Sequence, residues 1–324
     1  MNELKISRTD PDTVQKMNAR PRKRWGQAFL KSWQLQVLFL LPLIYLLVFK
    51  YYPMYGAQIA FRDFVAIKGI TGSDWVGLKY FSRFFHSYEF WRVLRNTLGL
   101  AFYQLFAGFP FPIILALSLN YVHRVFFKKS VQMITYAPHF ISVVVMVGII
   151  MQLLDPRTGL VNQILTSLGF DAIHFLARPE LFKSIFVWSD IWQNVGWGCI
   201  IYLAALSSID PTLHEAAIMD GASKVRRIWH IDLPGILPIA MIMFILNMGN
   251  LMDIGFEKVL LLQTPLNLRT AEVIDTYVYK VGLASNLVNF SYASAIGLFK
   301  SVVNLILIVT INYTAKRMRQ ETLW

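Results

Sequence analysis

The stretch SSIDPTLHEAAIMDGASKVRRIWHIDLP, residues 207–234, lies between two long apolar blocks and decides how the chain folds. Its first half has the residue order of a short, capped helix. Asp210 is a favourable N-cap, and Pro211 suits a first helical turn, because the N–H groups of that turn have no partner within the helix. Gly221 can adopt the left-handed conformation that ends a helix. We therefore expect a helix that begins near Pro211 and ends in a tight turn at Gly221.

The second half of the stretch predicts another helix. Residues 222–229 can form it, and Pro234 is expected to stop it where the next apolar block begins, because proline disrupts a helix interior. Small residues at the tip of this helix–turn–helix elbow allow another protein's backbone to approach closely. The elbow, residues 207–234, is therefore suited to contact with a second protein.

Apolar blocks long enough to cross a membrane make up much of the remaining chain. The 324 residues are 56% hydrophobic with a mean hydropathy of +0.48, above the roughly 45–50% apolar content of soluble domains. A bilayer needs about 20 consecutive apolar residues per helix, and the alternating segments of a membrane β-barrel are missing. We predict an all-α polytopic membrane protein with six transmembrane helices at 33–52, 97–119, 131–154, 184–206, 235–255 and 293–314.

The chain is predicted to contain one membrane domain between two short tails. Residues 1–32 form a basic N-terminal tail, residues 33–315 the membrane domain and residues 316–324 a C-terminal tail. The first apolar block does not have the pattern of a cleaved signal peptide, because its charged lead-in is long and no small-residue cleavage site follows.

The distribution of charge predicts the orientation. With the N-terminus inside, the inside segments carry 17 Lys and Arg residues and the longer outside segments carry 13. Cytoplasmic loops are enriched in basic residues, so both termini and the elbow are placed in the cytoplasm. The formal net charge of +12 is then explained by these loops, and no nucleic-acid partner is predicted.

The sequence offers no sign of a cofactor or a metal. Its one cysteine, Cys199, lies in an apolar block and excludes an intramolecular disulfide. No His or Cys spacing typical of a metal site is found. The Gly-rich, phosphate-binding loop of ATPases is also missing, so any ATP-driven step has to come from another protein.

The elbow resembles the EAA loop of the permease subunits of binding-protein-dependent ABC importers. That loop has Glu-Ala-Ala, then a Gly after three intervening residues, and Ile-x-Leu-Pro about ten residues later. Trp229 corresponds to the aromatic residue usual in its second helix. The positions that carry the resemblance, and that it assigns to coupling with an ATPase, are Glu215, Ala216, Ala217, Asp220, Gly221, Ala222, Ile231, Leu233 and Pro234.

This resemblance implies a fold, a set of partners and a location. The fold is that of a type I importer permease, in which the loop is a cytoplasmic coupling helix that docks in a groove of the ATPase. The implied partners are a second permease subunit in a heterodimer, two ATP-binding subunits that hold ATP and Mg, a periplasmic or extracellular solute-binding protein, membrane lipid and the substrate. The implied location is the bacterial cytoplasmic (inner) membrane. The chain itself is not expected to be an enzyme or to bind a cofactor.

Two segments before the second apolar block narrow the resemblance to carbohydrate importers. Residues 50–64, KYYPMYGAQIAFRDF, and residues 75–81, WVGLKYF, are similar to maltose-type permeases, and closest to the branch for complex oligosaccharides and uronides. That branch imports alginate, aldouronate or pectin fragments. Residues 50–96 carry seven basic and three acidic residues, which suits an acidic cargo or an acidic binding-protein surface. The same charges could equally serve only to solvate the loop, and a neutral oligosaccharide stays the alternative.

Polar residues in three of the predicted membrane helices are the candidate substrate pathway. Those of the fourth helix follow a spacing that places them on one helical face, and those of the fifth helix do the same. Polar groups in membrane helices mark a pathway or bond neighbouring helices. Lys300 of the sixth helix is expected to pair with an acid of the fourth or fifth helix, or with a substrate carboxylate. The candidates are Asp190, Gln193, Asn194, Trp197, Asn247, Asn250, Asp253 and Lys300.

A polytopic membrane enzyme, such as a glycosyltransferase, is the alternative from another functional class. Such an enzyme needs paired acids or a histidine-rich set at a membrane face. The inside acids that cluster are Asp210, Glu215, Asp220 and Asp232. They all lie within the elbow and do not form the pattern of a catalytic pair.

Overall fold

The structure, a computed structural model, describes residues 33–317. They are mostly helical, and a two-stranded antiparallel sheet pairs β1 (Arg62–Asp63) with β2 (Asp74–Trp75). The contacts between residues divide the described chain into two compact units, and the boundary between the units lies between Ala57 and Gln58. The N-terminal tail predicted at 1–32 lies outside the described residues, as do residues 318–324.

The first helical run is longer than the predicted span at 33–52. It covers 29 residues, Trp33–Phe61. Pro53 does not end it, because it lies at the start of a helical segment, where a proline needs no N–H partner. Its segments are α1 (Trp33–Leu46), a π-helical turn (Leu47–Tyr51), α2 (Tyr52–Met54) and a 3₁₀ helix (Tyr55–Phe61).

The remaining helices belong to the second unit. They are α3 (Lys79–Phe85), α4 (Tyr88–Gly108), α5 (Pro110–Asn120), α6 (Val125–Tyr136), α7 (Val143–Leu153), α8 (Leu160–Ser167), α9 (Pro179–Ser207), α10 (Pro211–Met219), α11 (Lys224–Arg227), α12 (Leu233–Gly249), α13 (Phe256–Leu262), α14 (Leu268–Ala271), α15 (Ile274–Tyr279) and α16 (Phe290–Arg317).

Four helical runs of the described residues are long and apolar enough to cross a membrane. They are Trp33–Phe61, Tyr88–Asn120, Lys224–Gly249 and Phe290–Thr314. A fifth crossing is present if the bent pair α6 and α7 is one span. The 29-residue helix α9 is also long enough, but polar residues such as Asp190 and Gln193 lower its hydropathy. The helical membrane architecture is therefore confirmed for four to five spans.

The third predicted span is not the single straight helix expected at 131–154. The chain is helical in α6, passes through a 3₁₀ turn at Ala137–Phe140 and continues as α7, and the two helices are bent by 104°. Pro138 removes a backbone donor at the break. Ser142 then caps α7, because its side chain accepts a hydrogen bond from the backbone N–H of Val145.

Helix α9 is the centre of the second unit. It packs against α4, α5, α6 and α12. Phe182 and Phe186 are fully buried on its inner face, together with Leu100 and Met146 of its neighbours. Burial of one such side chain stabilises the fold by roughly 1.5–3 kcal/mol. This packing fixes the positions from which the polar residues of α9 project.

The first half of the elbow folds as predicted. The Asp210 carboxylate accepts a hydrogen bond from the Thr212 backbone N–H at 3.0 Å, and α10 begins at Pro211. Gly221 has a φ of +76°, and the Ala222 N–H bonds back to the carbonyl of Ala217 at 2.8 Å. The left-handed glycine and this backward hydrogen bond together close the helix C-terminus.

The second half of the elbow differs from the prediction in two ways. The helix begins at Lys224, after a cap by Ser223, and not at Ala222. Pro234 does not stop it, since the helical run continues to Gly249. A π-helical turn at Ile228–Asp232 precedes α12 and leaves Pro234 in the first turn of that segment. The missing N–H of the proline is therefore accommodated without a break.

Candidate functional site

The elbow exposes several large apolar side chains. Large apolar side chains on so short a segment are typical of a protein–protein contact. A Cβ atom at Gly221 would meet nothing within 4 Å, so the tip has open space around it and the demand for glycine comes from its backbone conformation. Residues Glu215, Ala216 and Asp220 of the motif are also exposed. The exposed apolar side chains are Leu213, Ile218, Met219, Val225 and Trp229.

The base of the elbow contains a buried carboxylate that sequence reasoning placed among the acids of the loop without a role. Asp232 is completely buried and accepts a hydrogen bond from the Tyr121 hydroxyl at 2.7 Å. Its other oxygen lies 3.3 Å from Nε2 of His214 on α10. Burial, followed by the hydrogen bond to Asp232, raises the pKa of Tyr121 to about 12, so the phenol stays a donor at neutral pH. These contacts connect α10 and the start of α12 with the end of α5.

The acid at the N-cap of α10 has a different environment. Asp210 is solvated, and hydrogen bonds from the backbone N–H and the hydroxyl of Thr212 lower its pKa. A lowered folded-state pKa means that the cap stabilises α10 above the pKa of the unfolded chain and is lost as the pH falls through the folded value. The cap is therefore fully formed at neutral pH.

A cavity of about 320 Å³, with several polar side chains in a mainly apolar lining, lies between α4, α5, α9 and α12. The Asp190 carboxylate projects into it from α9 and accepts a hydrogen bond from Gln104 of α4 at 2.9 Å. It also accepts one from the side-chain amide of Asn194 at 3.2 Å. Five of the eight predicted pathway residues line this cavity, namely Asp190, Asn194, Asn247, Asn250 and Asp253.

Two residues of the predicted face on α9 have other roles. Gln193 is buried and donates to the carbonyl of Ile141 at 3.0 Å, which holds α9 to the loop before α7. Trp197 lies against the ring of His139, with the two rings 4.7 Å apart and nearly parallel. Neither residue lines the cavity between α4, α5, α9 and α12. Gln193 instead lines a neighbouring cavity of about 700 Å³, together with Asp190 and Asn194.

Lys258 is a site residue that the sequence analysis missed. Its ammonium group lies 3.5 Å from Asp190 and 3.3 Å from the carbonyl of Phe186, and its side chain is 5% exposed. A lysine within the apolar run of α13 was the available signal, since a buried cation has to find a partner. The ion pair and the hydrogen bond from Gln104 of α4 together hold Asp190 in place.

Lys300 pairs with Asp253, one of its two expected partners, and with Asp275, which was not expected, but not with Asp190. Its ammonium group is 2.7 and 2.8 Å from the two oxygens of Asp275, and it also bonds Asp253. These three residues line a second cavity of about 790 Å³. Phe256 and Tyr279 form part of its wall, with their ring centroids 5.3 Å apart. Asp253 lines both this cavity and the one beside α4.

The described residues, 33–317, contain no group of three or more His, Cys, Asp and Glu side chains placed to hold a metal ion. The acids of the elbow do not form a catalytic pair either. Asp210, Glu215 and Asp220 are exposed, and Asp232 is held by Tyr121 and His214.

Comparison with known proteins identifies the family. Residues 108–320 match the family described as binding-protein-dependent transport system inner membrane component. The chain is 43% identical over 300 residues to Protein LplB of Bacillus subtilis (strain 168), covering 93% of this chain and 94% of that protein. It is also 43% identical over 303 residues to the polygalacturonan/rhamnogalacturonan transport system permease protein YteP of the same organism, covering 94% of each.

Two solved structures share the fold over nearly the whole chain. One is a bacterial ABC transporter involved in the import of the acidic polysaccharide alginate, at 38% identity and a TM-score of 0.83, covering 91% of this chain and 99% of that one. The other is a bacterial alginate ABC transporter in complex with alginate pentasaccharide-bound periplasmic protein, at 37% identity and a TM-score of 0.85, covering 93% and 100%.

The resemblance inferred from the elbow and from residues 50–81 is thereby confirmed, and the glycosyltransferase alternative is set aside. The family is a membrane component of transport systems, in which ATP hydrolysis belongs to a separate subunit. The family match covers more than half of the sequence, and two relatives exceed 40% identity over almost their full length. This chain belongs to the inner membrane components of binding-protein-dependent transport systems, as a permease of a carbohydrate ABC importer.

Proposed function

We propose that this permease forms the translocation pathway for an acidic oligosaccharide, such as an alginate, aldouronate or pectin fragment. The observation that carries the proposal is the group of polar side chains in the cavity between α9 and α12, the two helices that flank the elbow. Asp190, Asn194, Asn247 and Asn250 offer it hydrogen-bonding groups suited to sugar hydroxyls. The names of the relatives, which concern polygalacturonan, rhamnogalacturonan and alginate, support an acidic cargo.

The proposed topology has six spans, with both termini and the elbow in the cytoplasm. The four apolar helices, the bent pair α6 and α7, and the long helix α9 supply these six crossings. The basic tail at 1–32 and residues 316–324 then lie inside, and residues 33–315 form the membrane domain. The location is the bacterial cytoplasmic membrane, where a multi-pass chain with this distribution of charge is expected.

The proposed partners are supported by the elbow, by the family and by the solved relatives. The exposed apolar side chains of the elbow fit the groove of an ATPase subunit, and two such subunits would hold ATP and Mg. A second permease of similar length completes the pathway as a heterodimer. A solute-binding protein delivers the cargo, in keeping with the periplasmic protein bound to the alginate transporter.

The proposed mechanism transmits closure of the ATPase dimer through the elbow. The motif residues from Glu215 to Pro234 form the contact face, and the buried contacts of Asp232 with Tyr121 and His214 join that face to α5 and α12. A movement of α10 is therefore passed to helices that line the cavity. Rigid-body rocking of these helices exposes the pathway to either side of the membrane in turn.

A neutral oligosaccharide is the second candidate cargo, and the charges of the cavities favour it. Asp190, Asp253 and Asp275 outnumber the lysines that pair with them, Lys258 and Lys300. An anionic substrate would meet a small excess of negative charge at this wall. An uptake experiment distinguishes the acidic cargo from the neutral one.

The test is uptake into proteoliposomes that contain this permease, its partner permease, the ATPase subunits and the solute-binding protein. We expect trigalacturonate or an alginate trisaccharide to be taken up faster than the carboxyl-reduced trisaccharide, with ATP hydrolysis stimulated in parallel. Equal or faster uptake of the neutral sugar would reject the acidic cargo. No ATP-dependent uptake of any saccharide would reject the permease role.

A further inference from the structure

Lys300 is paired with more negative charge than it can neutralise. Its ammonium group bonds both oxygens of Asp275 and one oxygen of Asp253. Two carboxylates against one ammonium leave one negative charge uncompensated. Ionisable groups within a membrane protein are costly and usually face a pathway or a partner. The surplus carboxylate therefore suggests a contact with the pathway or with a partner at this position.

The surplus carboxylate is Asp253. Asp275 is 22% exposed and bonds Lys300 through both of its oxygens, whereas Asp253 is 57% exposed and bonds it through one. Asp253 also follows the end of α12 and precedes Gly255, which has a φ of +93°. It lies on irregular backbone, so its carboxylate can leave Lys300 without breaking a helix. It is also the acid of the pair that lines both cavities.

We propose that Asp253 occupies the position of a substrate carboxylate and is displaced from Lys300 when a uronate group of the cargo passes. The uronate then bonds the neutral Lys300–Asp275 pair. This inference rests on the proposed acidic cargo and names the residues that recognise it. Replacement of one carboxylate by another changes the net interaction little, which suits a pathway that the cargo has to leave.

The surroundings of Lys300 suit a sugar ring as well as its carboxylate. Phe256 and Tyr279 line the same cavity as Lys300 and offer it flat apolar faces. Lys258 also lines a cavity and lies over an aromatic ring, but its charge is balanced. It is almost fully buried between Phe186 and Asp190 and has a single carboxylate partner, so no acid is left over for exchange.

The experiment compares trigalacturonate with its carboxyl-reduced trisaccharide in the reconstituted importer, with each sugar loaded on the solute-binding protein at saturation. Lys300→Met is expected to lower uptake of trigalacturonate about tenfold and uptake of the neutral sugar less than about twofold, because a partly desolvated charge pair is lost only with the acidic cargo. Lys316→Met is the matched control, because Lys316 is an exposed lysine near the end of the same helix and lines neither cavity.

A second variant tests the displacement step itself. Asp253→Asn removes the competing carboxylate and keeps Lys300. The trigalacturonate concentration that gives half-maximal uptake is expected to fall about threefold, and that of the neutral sugar to stay within about 1.5-fold, because only the acidic cargo competes with Asp253. Binding-protein-stimulated ATP hydrolysis in the same vesicles verifies that each variant assembles. If Lys300→Met does not assemble, the result with Asp253→Asn decides whether Asp253 competes with the acidic cargo.

Equal losses for the two sugars in Lys300→Met would overturn the proposal. A rise in the half-saturating concentration of trigalacturonate in Asp253→Asn would do the same. If the unaltered importer prefers trigalacturonate and Lys300→Met keeps that preference, the exchange is wrong and the acidic cargo stands. If the unaltered importer shows no such preference, the acidic cargo and the exchange both fail.

Discussion

Gly221 illustrates how the backbone of one residue supports the elbow. Its φ of +76° lies in the left-handed region, which costs other L-residues roughly 1–2 kcal/mol. A Cβ atom there would meet no neighbour within 4 Å. Any loss caused by a small side chain therefore comes from backbone strain and not from a clash within this chain.

Because glycine is required here by its backbone conformation and not by a lack of room, we predict which of two variants at position 221 keeps more activity. Gly221→Asn is expected to keep more binding-protein-stimulated ATP hydrolysis than Gly221→Ala, because asparagine tolerates the left-handed conformation and alanine does not. Gly148→Ala is the control, since a Cβ atom at Gly148 also meets open space and Gly148 has no positive φ. Activity of the alanine variant at or above that of the asparagine variant would contradict the strain argument.

The elbow as an element depends on contacts that lie far apart in sequence. Tyr121 and Asp232 are separated by 111 residues. Arg227 lies over the Tyr121 ring at 5.6 Å, and His214 faces the same carboxylate. A contact between α10, α12 and the end of α5 is what allows the elbow to act as a stiff unit.

Loss of the Tyr121 hydroxyl is expected to loosen this element. Tyr121→Phe leaves the buried Asp232 carboxylate without its phenol donor, a change that costs about 1–3 kcal/mol. Tryptic cleavage at Lys224 and Arg226 should become faster in the purified complex, and stimulated ATP hydrolysis should fall.

Tyr313→Phe is the control for this prediction, because Tyr313 is exposed on α16. The double variant Tyr121→Phe with Asp232→Asn is expected to recover part of the protease resistance, since it buries a neutral amide in place of a charge. Equal cleavage rates in Tyr121→Phe and Tyr313→Phe would show that the hydroxyl does not hold the elbow.

At the scale of the whole molecule, the orientation of the chain in the membrane can be tested. The proposed topology places the elbow inside and residues 50–96 outside. Two fully accessible positions report on these segments: Met219 on the elbow is 87% exposed, and Ile67 in the loop is 98% exposed. Cys199 is the single native cysteine and is buried, so it can be replaced to give a background without thiols.

In a Cys199→Ala background expressed without the ATPase subunits, which would cover the elbow, Met219→Cys is expected to react with a membrane-impermeant maleimide in inside-out vesicles and to be protected in right-side-out vesicles. Ile67→Cys is expected to show the opposite pattern and is the matched control. The prediction follows from the basic excess of the inside segments. Reaction of Met219→Cys in right-side-out vesicles alone would place the elbow outside and remove the basis for coupling.

Several features of the fold could be predicted because they depend on neighbouring residues. The Asp210 cap, the start of α10 at Pro211 and the left-handed turn at Gly221 are all local. Pro234 shows the limit of such reasoning. Its helix continues because the π-helical turn at Ile228–Asp232 leaves Pro234 in the first turn of α12, where the missing N–H of proline is tolerated. No pattern in the sequence marks that turn.

The candidate site also contains residues that the sequence placed correctly and residues that it did not. Helical spacing placed Asp190 and Asn194 on one face of α9, and both line the cavity. The same spacing included Gln193 and Trp197, which bond or stack on the segment around the α6–α7 bend instead. Periodicity gives the face of a helix, but the neighbour that covers each part of that face depends on packing.

The sequence by itself determined that this chain is a helical membrane protein, that it has a capped elbow with a glycine turn, and that it resembles an importer permease. These properties follow from hydropathy, caps and spacing, which act over a few residues. Only the tertiary structure decided that Lys258 pairs with Asp190, and that Lys300 pairs with Asp275 and with Asp253, 47 residues away. The choice of partner is decided by how the helices pack, because an ion pair inside a membrane protein forms only where two charges are brought within a few ångströms.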